Sequence, residues 1–199
     1  MLEEKRALNI AEKSDEELVN LALKNRDDFL YLVDRYKNRL TAYIRRLTKA
    51  SPEDAEDILQ EIFIKVYLNL NEFDRDLKFS SWIYRITHNQ VISRHRRLKA
   101  RPEGYAVDID DAAARRLASD IDIAASADLT ILKENILKIL DHLAPKFREV
   151  LVLRFLEEKS YEEIADIIKK PAGTVASTIS KAKLEFRQEL KRSGVKFHD

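Results

Sequence analysis

Helix-breaking residues are scarce in this chain. Its 199 residues include three glycines and four prolines, whereas charged residues make up 36% and apolar residues 45%. Glycine and proline destabilise helix interiors most, while Leu, Ala, Glu, Lys and Arg form helices well. This composition therefore favours an all-α protein, and its length allows one or two domains.

Three stretches carry the signals of a helix start. The runs at 14–17 and 160–163 are capping boxes, in which a serine is followed three residues later by a glutamate that reaches back to it. The run at 51–54 places serine at the cap, proline at the first helical position and acids in the first turn. Apolar residues recur at helical spacing after each start, which predicts amphipathic helices that bury one face.

Basic and aromatic residues accumulate without any acid between Leu77 and Pro102. The formal net charge of the whole chain is only +1, so this excess is local. It is typical of a surface that binds nucleic-acid phosphates, and aromatic rings offer flat faces for unstacked bases. A core helix with a solvated basic face would show the same composition, so both interpretations stay open at this point.

An acidic face precedes this stretch. Between Glu53 and Glu61 there are acids and no base, and the apolar residues of the same helix share the opposite side. The outward residues at spacings of three and four are Asp54, Asp57, Gln60 and Glu61. Such a face is either simply solvated or a docking surface for a basic partner.

The sequence changes character over residues 100–128. Pro102 and Gly104 interrupt the helical pattern, and aspartates follow among small residues. We interpret this stretch as an acidic, flexible interdomain linker, with a short helix allowed at 111–118. The prediction is therefore an N-terminal arm at 1–13, a first helical domain at 14–99, the linker, and a second helical domain at 129–199.

A helix-turn-helix is predicted in the second domain. The helix YEEIADIIKK is followed by a short connector with Pro171 and Gly173, and then by a helix from about Thr174 to Lys191. In a helix-turn-helix, outward residues near the start of the second helix enter the major groove of DNA. The alternative is a plain helical hairpin. The outward residues are Ala176, Ser177, Ser180, Lys181, Lys183 and Arg187.

Four features in this order resemble the extracytoplasmic-function group of bacterial RNA polymerase sigma factors. They are the stretch DAEDILQEIFIKVYLNL, the stretch FSSWIYRITHNQVISRHRR, the stretch LAPKFREVLVLRFLEEKSYEEIADIIKKPAGTV, and the acidic linker that they surround. The resemblance covers about 16–98 and 129–190. It implies a sigma domain 2-like region at 14–99 and a sigma domain 4-like region at 129–199.

The resemblance also implies which residues make which contact. The residues implied to dock on the basic coiled coil of the polymerase clamp are Asp54, Asp57, Gln60 and Glu61. Those implied for the minus-ten promoter element are Phe73, Asp74, Lys78, Phe79, Ser80, Trp82, Arg85, Asn89, Arg94, Arg96 and Arg97. Those implied for the minus-thirty-five element are Thr174, Ala176, Ser177, Ser180, Lys181 and Lys183. Within these sets, Asn89 is implied as the main polar contact with the captured base or its backbone, and Trp82 as mostly a core residue.

Further partners follow from the resemblance. It implies that the beta flap of the polymerase is a second docking point and that the linker threads through the enzyme, where its acids partly mimic nucleic acid. It also implies restraint by an anti-sigma protein. Relatives often carry Arg at the positions of Ala176 and Thr178, so the minus-thirty-five affinity or sequence preference of this chain is expected to be unusual. Relatives also often carry Asp at the position of Ser93.

Other function classes fit the sequence less well. Without cysteine, the chain cannot form disulfides or thiolate zinc sites. Its histidines lack carboxylates at metal-ligand spacing, and no Gly-rich phosphate loop or nucleophile motif occurs, so we expect no enzyme activity, cofactor or metal. A stand-alone helix-turn-helix regulator is the alternative, although it leaves the acidic helix and the linker unexplained. An adaptor protein is a further alternative, and the helix-turn-helix counts against it. No signal-peptide core or long apolar run occurs, so a cytoplasmic location is expected.

Overall fold

The computed structural model describes residues 10, 12–98, 109–121 and 129–193, and for residues 95–98 it describes the backbone only. The chain divides into two compact units, one made of Met1–Ile44 and Ala50–Pro102 and the other of Arg45–Lys49 and Glu103–Asp199. Every regular element in the described ranges is a helix, which confirms the all-α prediction. The α-helices are α1 Asp15–Lys24, α2 Phe29–Thr48, α3 Pro52–Leu68, α4 Phe79–Leu98, α5 Asp111–Ile121, α6 Leu129–His142, α7 Pro145–Leu151, α8 Tyr161–Ile168 and α9 Ala172–Arg192.

The helix starts read from the sequence are present with their capping contacts. The Ser14 hydroxyl accepts a bond from the Glu17 backbone N–H at 3.2 Å, and the Ser14 backbone N–H donates to the Glu17 carboxylate at 2.7 Å. Ser160 and Glu163 repeat this reciprocal pair at the start of α8. Helix α4 begins at Phe79, three residues before the predicted start at Trp82, because the backbone N–H groups of Ser81 and Trp82 already bond to the Lys78 carbonyl.

An aspartate joins the first two helices of unit 1. Arg35 Nη1 lies 2.9 Å from Asp15 Oδ1, and the Tyr36 hydroxyl donates to Asp15 Oδ2. Burial of the Tyr36 ring and this hydrogen bond raise the pKa of its hydroxyl well above the usual tyrosine range. The contacts hold α1 against α2, whose apolar face is buried in the core of the unit.

Unit 2 contains a π-helical turn immediately before the helix-turn-helix. Helix α7 ends at Leu151 and continues as a π-helix over Val152–Leu156, in which all residues except Arg154 are buried. Arg148 caps the C-terminal end of α6, since its guanidinium donates to the carbonyls of Leu140 at 2.8 Å and Asp141 at 2.6 Å. Burial lowers the pKa of Arg148.

Helix α5 lies within the predicted linker and packs on unit 2. It extends the short helix allowed at 111–118 to Ile121, and it contacts α6, α9 and the π-helical turn. Its inward residues are no more than 1% exposed: Ala113, Ala114, Leu117, Ala118 and Ile121. The described part of the linker is therefore an amphipathic helix of unit 2.

None of the helices in the described ranges is long and apolar enough to cross a membrane.

Candidate nucleic-acid interface

The acidic face of α3 points away from the core of unit 1. Asp57, Gln60 and Glu61 are exposed, whereas Asp54 is half-buried beside Ser51, whose hydroxyl lies 3.1 Å from its carboxylate. Inward residues of α3 such as Ile58 and Ile62 are fully buried. The prediction that Asp57, Gln60 and Glu61 face outward is therefore confirmed, whereas Asp54 is only partly exposed.

Two large apolar residues continue this face and were not predicted as part of it. Ile64 is 58% exposed and Leu68 is 70% exposed. They follow Asp57 and Glu61 at spacings of three and four, so the four side chains form one stripe along α3. Their position outside the inward apolar stripe was the signal available in the sequence. The stripe is acidic in its first half and apolar in its second.

A polar network connects α3 to α4. Gln90 donates to Glu61 and accepts from Lys65, so its amide bridges an acid and a base of α3. Arg94 Nη1 lies 3.2 Å from the other carboxylate oxygen of Glu61. The predicted polymerase-docking residue Glu61 and the predicted DNA-binding residue Arg94 are thus an ion pair.

An open groove runs between α3 and α4. It has a volume of about 460 Å³, and the exposed side chain of Asn89 lines it. The other lining residues are Lys65, Asn69, Glu72, Trp82, Arg85, Ile86, Gln90 and Ser93. A second hollow of about 400 Å³ shares Lys65, Gln90 and Ser93 with it. The arrangement combines polar groups, cations and one edge of an indole in a space large enough for a nucleobase.

The aromatic rings near the groove pack mostly against each other. The ring centroid of Phe73 lies 5.4 Å from those of Phe79 and Trp82. Phe79 is fully buried, and Phe73 and Trp82 are each 6% exposed. The rings of Phe73 and Phe79 therefore support the loop between them, and the idea that they offer open faces to bases does not fit this burial. The expectation that Trp82 belongs mostly to the core agrees with its burial.

The loop at 74–78 presents polar side chains to solvent. Asp74, Asp76 and Lys78 are exposed, and Ser80 is half-buried. The Asp74 carboxylate accepts from the Asp76 backbone N–H at 3.0 Å, which fixes a tight turn. The side chains of Arg96 and Arg97, also predicted to bind DNA, lie outside the described residues.

The helix-turn-helix of unit 2 comprises α8, a short turn and α9. Lys169 ends α8 with a left-handed backbone at φ 53°. On α9, Thr174, Ser177, Ser180 and Lys181 are exposed, while Ala176 is half-buried. The hydroxyls of Ser177 and Ser180 each donate to a carbonyl of their own helix at 3.0 Å, so their lone pairs face solvent.

Among the predicted contacts of α9, Lys183 is held by a neighbouring helix in the described part of the chain. Its ammonium lies 2.7 Å from Asp120 of α5. One turn further along, Arg187 Nε donates to the Ile121 carbonyl at 2.8 Å. The end of α5 therefore engages Lys183 and Arg187 near the middle of α9 and leaves the first half of this helix open.

Two family signatures match this chain. The signature described as Sigma-70 region 2 matches residues 32–101. The signature described as Sigma-70, region 4 matches residues 133–186. The first covers most of α2 to α4 and the groove, and the second covers most of α6 to α9 without α5.

Curated relatives match over most of their length. The chain is 34% identical to the ECF RNA polymerase sigma factor SigW of Bacillus subtilis over 178 residues, which are 84% of this chain and 91% of that protein. It is 32% identical to the ECF RNA polymerase sigma-E factor of Haemophilus influenzae over 159 residues, with 78% and 83% covered.

Solved structures share the fold. CnrH, in a complex with the cytosolic domain of CnrY, superposes with a TM-score of 0.65 at 24% identity, with 90% of this chain and 99% of that chain covered. The sigma factor RpoE of Bartonella quintana, in a complex with the anti-sigma factor NepR, gives 0.57 at 22% identity, with 82% and 97% covered.

Proposed function

The chain belongs to the extracytoplasmic-function group of RNA polymerase sigma factors, and from that membership we propose that its two units divide promoter recognition between them. Unit 1 docks on core RNA polymerase and binds the minus-ten element. Unit 2 binds the minus-thirty-five element. Together they recruit the polymerase to a promoter subset and promote DNA opening. Sigma factors are generally initiation factors without catalytic activity, and we propose the same for this chain, acting in the cytoplasm.

The groove with Asn89 is the observation that carries the proposal for unit 1. Capture of an unpaired base costs a few kcal/mol of stacking, and hydrogen bonds to the base in the groove, each worth about 0.5–1.5 kcal/mol, can offset this cost. The exposed amide of Asn89 can donate to and accept from a base edge. Arg85 lies beside it and supplies charge for a phosphate, and the loop at 74–78 forms the neighbouring wall of the minus-ten site.

The stripe on α3 is the proposed polymerase contact. Asp57 and Glu61 supply charge for a basic coiled coil. Ile64 and Leu68 supply the apolar area that such a contact buries, worth about 25 cal/mol per Å². Charge at the edge of an interface mainly sets the association rate and the choice of partner, while apolar burial adds affinity.

Unit 2 is proposed to read the minus-thirty-five element with the open half of α9. Thr174, Ser177, Ser180 and Lys181 face outward at the helix start, where a recognition helix meets base edges. Serine and threonine hydroxyls accept or donate and so discriminate bases weakly, whereas arginine binds guanine with two bonds. Because α9 lacks arginine at 176 and 178, we propose that this unit contributes less specificity than the minus-ten groove.

An anti-sigma protein is proposed as the regulatory partner. The relatives CnrH and RpoE were solved with CnrY and the anti-sigma factor NepR, respectively. By membership in the same group, this chain is proposed to be held inactive by a protein that covers its promoter-binding surfaces.

The test is binding of the purified protein to core RNA polymerase, followed by run-off transcription from a pool of promoters. The proposal predicts tight binding to the core enzyme and initiation at a defined subset of promoters. A protein that ignores the core enzyme and binds a duplex site alone would instead be a stand-alone helix-turn-helix regulator. Omitting the protein from the same reaction provides the background for both outcomes.

A further inference from the structure

A second groove lies on unit 2, outside the regions that the promoter-reading residues occupy. It has a volume of about 680 Å³ and runs between α5 and the chain just before α8. Three of its lining side chains are guanidinium groups: Arg115 and Arg116 from α5 and Arg154 from the π-helical turn. The remaining lining residues are Ser119, Asp120, Phe155 and Glu158.

Both acids of the groove are already paired. Glu158 lies 2.7 Å from Arg116, and Asp120 lies 2.7 Å from Lys183. Arg115 is exposed and makes no ion pair or hydrogen bond with a described residue. Arg115 and Arg154 therefore carry the positive charge that these pairs do not balance.

Arg154 is held in place by a backbone carbonyl and an aromatic ring. Its Nη1 donates to the Lys159 carbonyl at 3.0 Å, and its guanidinium lies 5.3 Å from the centroid of the Tyr161 ring. A planar guanidinium fixed in this way retains donors for an incoming oxyanion and loses little side-chain entropy when it binds one.

The groove borders both helices of the helix-turn-helix. Arg154 lies over Tyr161, the first residue of α8, and Asp120 contacts Lys183 on the flank of α9. When a recognition helix enters the major groove, the first helix of the motif crosses the DNA backbone. Most protein–DNA hydrogen bonds go to phosphates and sugars, and arginine is the side chain suited to binding a phosphate with two bonds.

We propose that this groove binds the phosphate backbone of the duplex beside the minus-thirty-five site, so that α5 is a DNA-contacting helix as well as part of the interdomain connection. The proposal rests on the proposed function of unit 2. A phosphate contact adds affinity without sequence preference, which suits a recognition helix that lacks arginine at 176 and 178.

The test uses the full-length protein and fluorescence anisotropy with two labelled duplexes, one with the selected minus-thirty-five sequence and one scrambled. Each lost phosphate contact reduces the slope of log affinity against log salt by about 0.9. Arg115→Ala should therefore weaken binding to both duplexes by the same factor. Between about 50 and about 200 mM salt, the unchanged protein should lose about threefold more affinity than this variant.

Two further variants distinguish a direct phosphate contact of Arg115 from a general effect of positive charge on the protein surface. Arg115→Lys keeps the charge and should retain the slope of the unchanged protein. Lys138→Ala removes one exposed cation of unit 2, on α6, that does not line the groove, and it should change the slope far less than Arg115→Ala.

The remaining outcomes show separately whether the groove proposal or the proposed function is wrong. If Arg115→Ala and Lys138→Ala behave alike while the unchanged protein prefers the minus-thirty-five duplex, the groove proposal is wrong and the proposed function stands. If the unchanged protein binds neither duplex, the groove proposal is wrong, and run-off transcription with core RNA polymerase decides the proposed function separately. If Arg115→Ala weakens binding of an acidic anti-sigma polypeptide and leaves duplex binding unchanged, the groove is a protein-binding site.

Discussion

Asp120 of α5 and Lys183 of α9 form an ion pair of 2.7 Å that joins the linker region to the recognition helix. The lysine side chain is 27% exposed and the aspartate side chain is 42% exposed. A half-exposed pair of this kind adds only about 0.2–1 kcal/mol to stability. Its larger effect is on charge, because the carboxylate neutralises a cation on the flank of a helix proposed to bind DNA.

Asp120→Asn should strengthen binding to duplex DNA. The substitution leaves a polar side chain of the same size and releases the charge of Lys183, so we expect the salt dependence of duplex binding to steepen by up to about 0.9 in log–log slope. Anisotropy titrations at several salt concentrations measure this. Glu134→Gln is the matched control, because it removes an exposed carboxylate that pairs with Lys138 on α6 at 3.6 Å. Equal slopes for the two variants would contradict the prediction.

Asn89→Ala should impair promoter opening more than polymerase binding. The side chain is exposed, so its loss leaves the fold of unit 1 intact, but it removes the amide from the groove. Loss of a bidentate base contact costs about 1–3 kcal/mol of discrimination, which we expect as a drop of about fivefold or more in open-complex formation measured by permanganate footprinting. Asn38→Ala, an exposed asparagine of α2, should behave like the unchanged protein. Equal losses in opening and in polymerase binding would remove the proposed role of Asn89.

Asp57→Lys should weaken binding to core RNA polymerase. It reverses one exposed charge on the stripe of α3, and like charges across an interface cost several kcal/mol. Competition for core enzyme against a labelled sigma factor gives the affinity. Asp34→Lys is the control, since Asp34 is also exposed in unit 1 but lies on α2. Unchanged competition by the Asp57 variant would mean that α3 is not the docking face.

Leu117→Ala should destabilise unit 2. Leu117 lies on the inward face of α5 and is fully buried. Truncation of such a side chain to alanine costs about 2–5 kcal/mol. Leu184→Ala provides the comparison, because Leu184 lies on α9 with 52% of its surface exposed and should cost about 0.5 kcal/mol or less. Urea unfolding followed by circular dichroism measures both. Similar stabilities for the two variants would show that α5 does not pack as an integral helix.

Tyr36→Phe should cost about 1 kcal/mol of stability, since it removes a hydrogen bond to Asp15 that Arg35 only partly replaces. The same substitution should also change how the free energy of unfolding depends on pH in alkaline solution. The pKa of Tyr36 is raised in the folded state, so its protonated form stabilises the fold below the ordinary tyrosine pKa of about 10. This contribution is lost as the pH rises above that value. Stability should therefore fall less steeply above pH 10 in the variant, as urea titrations at several alkaline pH values would reveal; parallel curves would contradict this.

Local signals predicted the helices well, and packing decided the rest. The capping pairs of Ser14 and Ser160 involve residues three apart, so the sequence alone specifies them. The groove at Asn89 forms only where α3 packs against α4, and no pattern in either helix describes it. The burial of Phe79 has the same cause, because its ring fills a space between elements that are distant in sequence.

Helix α5 shows why a weak pattern can be misjudged. Its inward residues do recur at helical spacing, but three of them are alanines and acids surround them. Alanine buries little area, so its periodicity resembles that of a solvated linker. The ion pair of Asp111 with Lys133 at 2.9 Å and that of Arg116 with Glu158 involve partners beyond the linker, which are not visible in the local sequence.

The π-helical turn at Val152–Leu156 has a consequence for how this protein can vary over evolution. A π turn holds one residue more than an α turn, and here the extra residue lets four apolar side chains face the interior while Arg154 alone points outward. Exchange of one apolar residue for another keeps these side chains in the same orientation around the helix axis. Loss of a single residue would restore the α repeat and rotate everything downstream by about 100°, which would turn Arg154 away from Tyr161 and misorient α8. Homologous proteins should therefore differ in which apolar residues fill this turn and yet preserve its length.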